Sequence, residues 1–323
     1  MKEYGNTKIA VVTGCLGFLG KHLTHYLLNR GWKVHGIDKI SYCSDMSVLD
    51  PFSQYDFQFH HVDLNDMNYL PDADVVFNTA ASTHVSNSII DSKPFIKDNV
   101  DGLRNLLELI KNKPDGRQSH LVHVSTDEVY GDIEEGVFTE SSGMNPSNPY
   151  SASKVSGDML IKAWARTYGI TYNLVRPANF YSGFIGFGQF PEKLIPLSVK
   201  NLDRGKKIQM HDMGEPVRTW LCVYDAVNAL VTIFEKGEKN EVYNISGGTE
   251  KKNKEVIQLL LNAYFDREDD MNDYVDFSYS REGQDVRYGM DDSKIRELGW
   301  EPSANFESEI VDIVNFLKGN SHW

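Results

Sequence analysis

The chain has 323 residues, 41% of them hydrophobic and 24% charged, with 33 Lys and Arg against 46 Asp and Glu, a formal net charge of −13. This composition excludes a disordered, collagen-like or coiled-coil chain, and the length suits one large or two closely joined domains. The acidic balance argues against a broad nucleic-acid or anionic-membrane surface, yet a small anionic ligand needs only a few local cations. In chain order, Lys8–Thr13 reads as a buried strand and Phe18–Asn29 as a helix, with Leu19, Leu23, Tyr26 and Leu27 at helical spacing. Strands follow at Lys33–Asp38, Asp56–Val62 and Asp74–Thr79, then a helix at Pro94–Lys111 and a strand at His120–Ser125. Asn148-Pro149 opens a long helix ending at Gly169, and Thr171–Arg176 is the next strand.

Apolar strands alternating with helices predict right-handed crossovers and a parallel sheet covered on both faces. After Arg176 the rhythm breaks: Ser182–Gln189 is Gly-rich and aromatic, and the tail from Glu241 is charged and irregular. Trp220–Lys236 reads as a last strand–helix pair returning to the sheet, and the acidic stretch Asp266–Asp273 as a solvated loop. The expected fold is α/β, a Rossmann-like doubly wound parallel sheet with a smaller C-terminal substrate-binding domain. Residues 1–176 plus about 217–240 form the first unit, and about 177–216 plus 241–323 the second. Cys15, Cys43 and Cys222 suggest no disulfide framework, and no metal set is expected. With no signal-like N-terminus and no apolar run approaching about 18 residues, a soluble cytoplasmic protein without membrane contact is expected.

Gly14, Gly17 and Gly20 are spaced G-x-x-G-x-x-G between a strand and a helix. Glycine permits the turn and the close approach of a pyrophosphate, which the free N–H groups of the helix N-terminus would hold. Asp38 ends the next strand, 18 residues beyond Gly20, where an acid binds an adenosine ribose and repels a 2′-phosphate. NAD is therefore expected over NADP, with Lys39 moderating the preference.

Tyr150 and Lys154 form Y-x-x-x-K on one face of the long helix, so that the ammonium would reach towards the tyrosine and lower its pKa. Thr126 lies at the carboxyl end of the fifth strand, the edge at which open α/β sheets bind ligands. There it would share a substrate oxygen with Tyr150. Asp127 and Glu128 follow; neighbours in a strand would face opposite ways, so this pair is expected in the turn beyond it.

These residues give the chain its resemblance. Ser125-Thr126-Asp127-Glu128-Val129-Tyr130-Gly131, Pro149–Lys154 (PYSASK), Phe190–Pro196 (FPEKLIP), Glu250–Asn253 and Leu298-Gly299-Trp300 resemble the extended short-chain dehydrogenases/reductases. The narrower likeness is to the nucleoside-diphosphate-glucose 4,6-dehydratases. The resemblance implies NAD-dependent C4 oxidation of the hexose, loss of water across C5 and C6, and hydride return to C6. It makes Glu128 the base at C5 and Asp127 the acid at the departing hydroxyl, beside Thr126, Tyr150 and Lys154. It sets Gly14, Gly17, Phe18, Leu19, Gly20, Asp38, Asp63, Leu64, Ala80, Tyr150 and Lys154 against the cofactor. It sets His84, Asn179, Glu192, Lys193, Arg218, Asn253 and Arg287 against the sugar nucleotide, the two arginines clamping its diphosphate. The helices Pro94–Lys111 and Tyr150–Tyr168 would form a four-helix homodimer interface.

Departures cluster on the substrate side. Ala80–Ser88 reads AASTHVSNS, closer to the UDP-glucose dehydratase domains of plant rhamnose synthases than to bacterial dTDP-glucose enzymes. His84 reads equally as a core histidine. The loop between Tyr181 and Phe190 is longer than the family's usual one, and Thr219 stands where an aspartate is usual. They favour UDP-glucose over dTDP-glucose. Two rival readings are a sugar-nucleotide 4-epimerase or decarboxylase of the same superfamily, which has no need of the Asp-Glu pair, and a non-catalytic NAD-binding regulatory protein.

Overall fold

A computed structural model describes residues 7–114, 117–186, 188–280 and 285–319. Gln284 of the arginine motif, Phe187 of the Gly-rich loop and the first six residues lie outside the described residues. Among the described residues, twelve strands run in chain order: β1 (Ile9–Thr13), β2 (Lys33–Asp38), β3 (Phe57–His61), β4 (Val75–Asn78), β5 (His120–Val124), β6 (Tyr172–Pro177), β7 (Asn179–Tyr181), β8 (Ile208–His211), β9 (Val217–Cys222), β10 (Glu241–Ile245), β11 (Thr249–Lys252) and β12 (Val275–Tyr279). The main sheet has seven strands in the order β10-β6-β5-β4-β1-β2-β3, every pair parallel. Its order reverses between β1 and β4, which opens a crevice at the strands' carboxyl ends.

Continuous apolar runs such as IAVVT in β1 and HLVHV in β5 are buried because helices cover both faces. One apolar cluster joins Leu23 and Leu27 of the helix Phe18–Asn29 to Ala226 and Leu230 of the helix Val223–Lys236. A second, on the opposite face, joins Leu103, Leu106 and Ile110 to Val76, Leu121 and Leu174. A third belongs to the C-terminal region, where Val256, Leu260, Ile310 and Val314 surround Trp220 and Ile208.

Three expectations differ from what is observed. The strand at Trp220 does not return to the main sheet; β9 lies between β7 and β11 in a separate three-stranded sheet. The returning strand is β10, which the charged character of the tail concealed: Glu241 is its first residue, but Val242 to Ile245 are buried against β6. The helix expected at Pro94–Lys111 is interrupted by a π turn at Lys97–Asp101. The extra residue in that turn lets Asn99 point inward, where its amide donates to the Ser82 carbonyl at 3.0 Å and to Ser153 Oγ at 2.9 Å. None of the helices among the described residues is long and apolar enough to cross a membrane.

Candidate active site

The glycine turn is built as its spacing requires. Gly14 has φ +67°, and a Cβ there would lie 2.8 Å from Ala80 Cα; a Cβ on Gly20 would collide with the Gly14 carbonyl. Only glycine allows the helix Phe18–Asn29 to start this close to the end of β1. Phe18 and Leu19 begin that helix, and Ala80 faces it from just beyond β4. Asp38 is buried at the end of β2, where its carboxylate accepts from the Leu16 and Ile40 amides at 3.1 and 2.8 Å and from Ser44 Oγ at 2.9 Å. Asp63 follows β3 and accepts from Asn65. Hydrogen bonds from Asn65, with Lys39 and Lys97 at 4.0 Å, outweigh its burial and lower its pKa. Lys39 is committed to Asp98 at 2.5 Å, and Leu64 is buried beside Gly102.

Thr126 caps a short 3₁₀ turn, Asp127–Tyr130, beyond β5, so the adjacent acids lie in a turn as the alternation of a strand demanded. Thr126 Oγ1 donates to Asp127 Oδ1 at 3.0 Å, while Asp127 Oδ2 is buried with no hydrogen-bond partner. Burial and the Glu128 carboxylate push the Asp127 carboxyl up to about 7. Burial also raises the Glu128 pKa, against the opposing pull of Asn148 and Arg218. Asn148 donates its side-chain amide to Glu128 at 3.1 Å and caps the helix Pro149–Tyr168 with its oxygen. Tyr150 stands in the first turn of that helix beside Thr126, Asp127 and Glu128.

Lys154 does not do what its spacing suggested. Its ammonium donates to the Val124 carbonyl at 2.8 Å and lies 3.4 Å from His123 Nε2, and burial brings it down to about 8. Tyr150 in turn is raised above the ordinary tyrosine value by burial and by the Glu128 and Asp127 carboxylates, with a hydrogen bond from Thr126 opposing them. A buried helix face in a low dielectric works against both charged forms, although at about 8 Lys154 still keeps its proton at neutral pH.

On the substrate side, Arg218 is 9% exposed, donates to the Asp285 carbonyl at 3.0 Å and lies 4.5 Å from the Tyr288 ring centroid. Its charge acts on Asp127 and Glu128, as does that of Lys193 on Glu128, so these residues share the site. Arg287 is drawn off to Glu250, a fork of 2.8 and 2.9 Å, and also donates to the Gly136 carbonyl. Glu192 accepts from Tyr42 at 3.0 Å, Asn179 opens β7 and Asn253 opens the helix Asn253–Phe265 beside Pro216. His84 is no core residue: its ring caps the helix Val85–Ile90, accepting from the Asn87 amide at 3.2 Å. Sequence reasoning read Asn148 as a helix start but not as a site residue, and it missed His123, Asn78, Asp285 and Tyr288 at the site. An Asn before Pro-Tyr is a readable cap signal; the other four are recognisable only once distant strands and loops meet.

This arrangement has known counterparts. The profile of the GDP-mannose 4,6-dehydratase family matches residues 11–313. The dTDP-glucose 4,6-dehydratase of Haemophilus influenzae is 38% identical, over 96% of this chain and 98% of its own. That of Shigella flexneri is 36% identical, over 97% and 93%. A crystal structure of the Streptomyces venezuelae dTDP-glucose 4,6-dehydratase, solved with NAD bound, superposes with a TM-score of 0.90 at 34% identity over 98% of both chains. By motif, site and full-length likeness, the chain belongs to the nucleotide-sugar 4,6-dehydratases, hydro-lyases of the extended short-chain dehydrogenase/reductase family.

Proposed function

We propose that this chain uses NAD to convert dTDP-glucose to its 4-keto-6-deoxy derivative and water. The observation that carries the reading is the Asp127–Glu128 turn: one acid poised near neutrality with a free buried oxygen, beside one held by an amide. Two neighbouring carboxyls in different surroundings are what a base and an acid acting on adjacent carbons require. An epimerase gives such a pair no task.

The cofactor turn fits NAD. The Gly14 and Gly20 positions leave no room for a side chain, and Asp38 sits where a ribose hydroxyl would meet it. Lys39 is neutralised by Asp98 and gives a 2′-phosphate little attraction. Gly14, Gly17, Phe18, Leu19, Gly20, Asp38, Asp63, Leu64 and Ala80 would hold the dinucleotide, with Lys154 near its nicotinamide half. When bound, NAD supplies a hydride acceptor at C4 and a donor at C6.

The chain's own residues move the protons. Tyr150 takes the C4 hydroxyl proton while Thr126 steadies the same oxygen. Glu128, oriented by Asn148, removes the C5 proton, made acidic by the C4 ketone. Asp127, protonated near neutrality, gives its proton to the C6 oxygen as it departs. Arg218, with Lys193, holds the diphosphate near the acids.

The thymidine nucleotide replaces the uridine nucleotide favoured by the departures between Ser82 and Ser88. Local structure accounts for the first of those departures. Ser82 Oγ donates to Asp98 at 2.6 Å, a contact its side chain alone provides. The Haemophilus influenzae and Shigella flexneri relatives, which match nearly the whole chain, are dTDP-glucose enzymes. A homodimer through the helices at 93–111 and 149–168 is supported by the exposure of Ile96 and Met159, and sedimentation tests it. For the reaction, dTDP-glucose and UDP-glucose are incubated in parallel and the 4-keto product is followed. Faster turnover of the thymidine nucleotide is expected; preference for UDP-glucose reverses the nucleotide assignment, and no keto product from either overturns the reading.

A further inference from the structure

The stretch Asp285–Tyr288 belongs to the C-terminal region, yet it is fastened to the chain just beyond the two acids. The Val286 and Arg287 amides donate to Asp132 Oδ1 at 2.9 and 3.0 Å, and the Ile133 amide donates to the Arg287 carbonyl at 3.2 Å. From the other side the Val217 amide of β9 donates to the Val286 carbonyl at 2.8 Å, and Arg218 donates to the Asp285 carbonyl. Gly131, with φ +83°, makes the reversal that brings Asp132 there; a Cβ on it would collide with the Asn145 carbonyl. Asp285 and Tyr288 are only 4% and 3% exposed.

A third carboxylate is thereby brought up to the acid pair. Ser147 Oγ donates to Asp285 Oδ2 at 2.7 Å, and the Tyr288 hydroxyl donates to the same oxygen. Ser147 precedes Asn148, whose amide nitrogen lies 3.5 Å from Ser147 Oγ and donates to Glu128 at 3.1 Å. A line Asp285–Ser147–Asn148–Glu128 thus runs from the C-terminal region to the base. A carboxylate buried this deeply is costly unless it is hydrogen-bonded, and two hydroxyls on one oxygen meet that need. Backbone bonds alone already fasten the stretch, so the charge at Asp285 calls for another purpose.

We propose that Asp285 is a positioning residue for the base: through Ser147 it holds the Asn148 amide on Glu128, and its negative charge balances the Arg218 guanidinium beside that carboxylate. The inference rests on the role proposed for Glu128. The charged and titratable groups that face Glu128 are Asp127 on its own turn, Tyr150 of the helix Pro149–Tyr168, Arg218 of β9, Lys193 at the start of the helix Leu194–Asp203, and Asp285 with Tyr288. Arg218 and Lys193 favour the ionised Glu128, and Asp285 favours its proton. Burial and the Glu128 and Asp285 carboxylates hold Tyr288 well above the ordinary tyrosine value, so it stays protonated and goes on donating. A base that takes a proton from carbon gains from the added affinity, which the cations needed for a diphosphate would otherwise remove.

The first test needs no turnover. Holoenzyme labelled with ¹³C at the glutamate carboxyl is titrated, and the resonance absent from Glu128→Gln reports the base. Asp285→Asn keeps an oxygen for Ser147 and Tyr288 but not the charge, and should lower that midpoint by about one pH unit, tenfold in proton affinity. The second test follows solvent deuterium entering C5 during turnover of dTDP-glucose. Ser147→Ala keeps the charge and cuts the link, so C5 uptake should fall about tenfold, while C4 oxidation, read as reduced NAD in a single turnover, changes less. A midpoint unmoved in Asp285→Asn, or C5 uptake at the wild-type rate in Ser147→Ala, overturns the proposal. A wild-type enzyme that makes no keto product fails the proposed reaction instead, and the titration still decides Asp285.

Discussion

Asn148 and Glu128 are joined at 3.1 Å, and the same asparagine closes the first turn of the helix that carries Tyr150 and Lys154. One side chain therefore serves two tasks, its oxygen the helix and its nitrogen the base. Asn148→Asp separates them. The cap survives, since a carboxylate accepts from Ser151 as well as an amide does. The donor to Glu128 is lost and a like charge takes its place. The expected result is a kcat 10- to 100-fold lower, with the helix cap and bound NAD retained. Asn148→Ala should lower stability as well, by about 1 kcal/mol, read from denaturant midpoints.

The Asp127 carboxyl, raised from 3.8 to about 7 mainly by burial, makes stability depend on pH. Between those values the folded chain keeps a proton that the unfolded chain has released, so stability falls as pH rises through this window. Above about 7 the whole cost of burying the carboxylate is present. Asp127→Asn cannot ionise. Its Tm relative to wild type should climb from pH 4 to pH 7 and then level off, and a difference flat across that range contradicts the assignment. The same variant should lose water elimination more than C4 oxidation, measured by reduced NAD accumulating in a single turnover.

Gly20 sits against the Gly14 carbonyl with no space for a methyl group. Gly20→Ala must push the helix Phe18–Asn29 away from β1, at a cost of about 1–3 kcal/mol. The protein should purify with less NAD, measured by absorbance after acid release. Gly31→Ala provides a contrast: its φ of +77° brings strain, but nothing lies within 4 Å, so NAD content should not change.

Lys21 and Asp45 pair at 2.8 Å with side chains 2% and 6% exposed, and Lys21 also donates to the Gly188 carbonyl. The lysine thus ties the cofactor helix to the loop after β2 and to the long loop Ser182–Gln189. Lys21→Met leaves Asp45 buried without its cation and should cost about 3–5 kcal/mol. Adding Asp45→Leu should return a good part of that loss, so that the double variant is less impaired than the sum of the singles. Strict additivity in urea unfolding would mean that the pair is not coupled.

The alternating strands and helices up to Arg176 were legible because period and burial agree there: both faces of the main sheet are covered, so apolar runs are unbroken. The glycine turn and the Asp-Glu turn were legible because their chemistry is local. Beyond Arg176 the order is set by contacts distant in sequence. The strand β10 has a charged first residue, and β9 looks like a sheet strand but pairs elsewhere. The same limit applies within the site. Arg287 and Arg218 read alike as phosphate clamps, yet Glu250 holds one and the carbonyl of Asp285 the other. Lys154 sits at the right spacing for Tyr150, but a carbonyl one strand away turns its amine aside.

The strand β10 has a consequence for the birth of the molecule. It pairs with β6 and ends the sheet, but it follows the intervening β7–β9 segment in the chain. A nascent chain that has emerged only as far as the helix Val223–Lys236 carries β6 with one row of peptide groups unpaired, and such a row templates association with any extended neighbour. Translation arrest or truncation before Ile245 should therefore yield a product that aggregates rather than a stable nucleotide-binding fragment. Adding residues 237–245 should be the step at which aggregation falls.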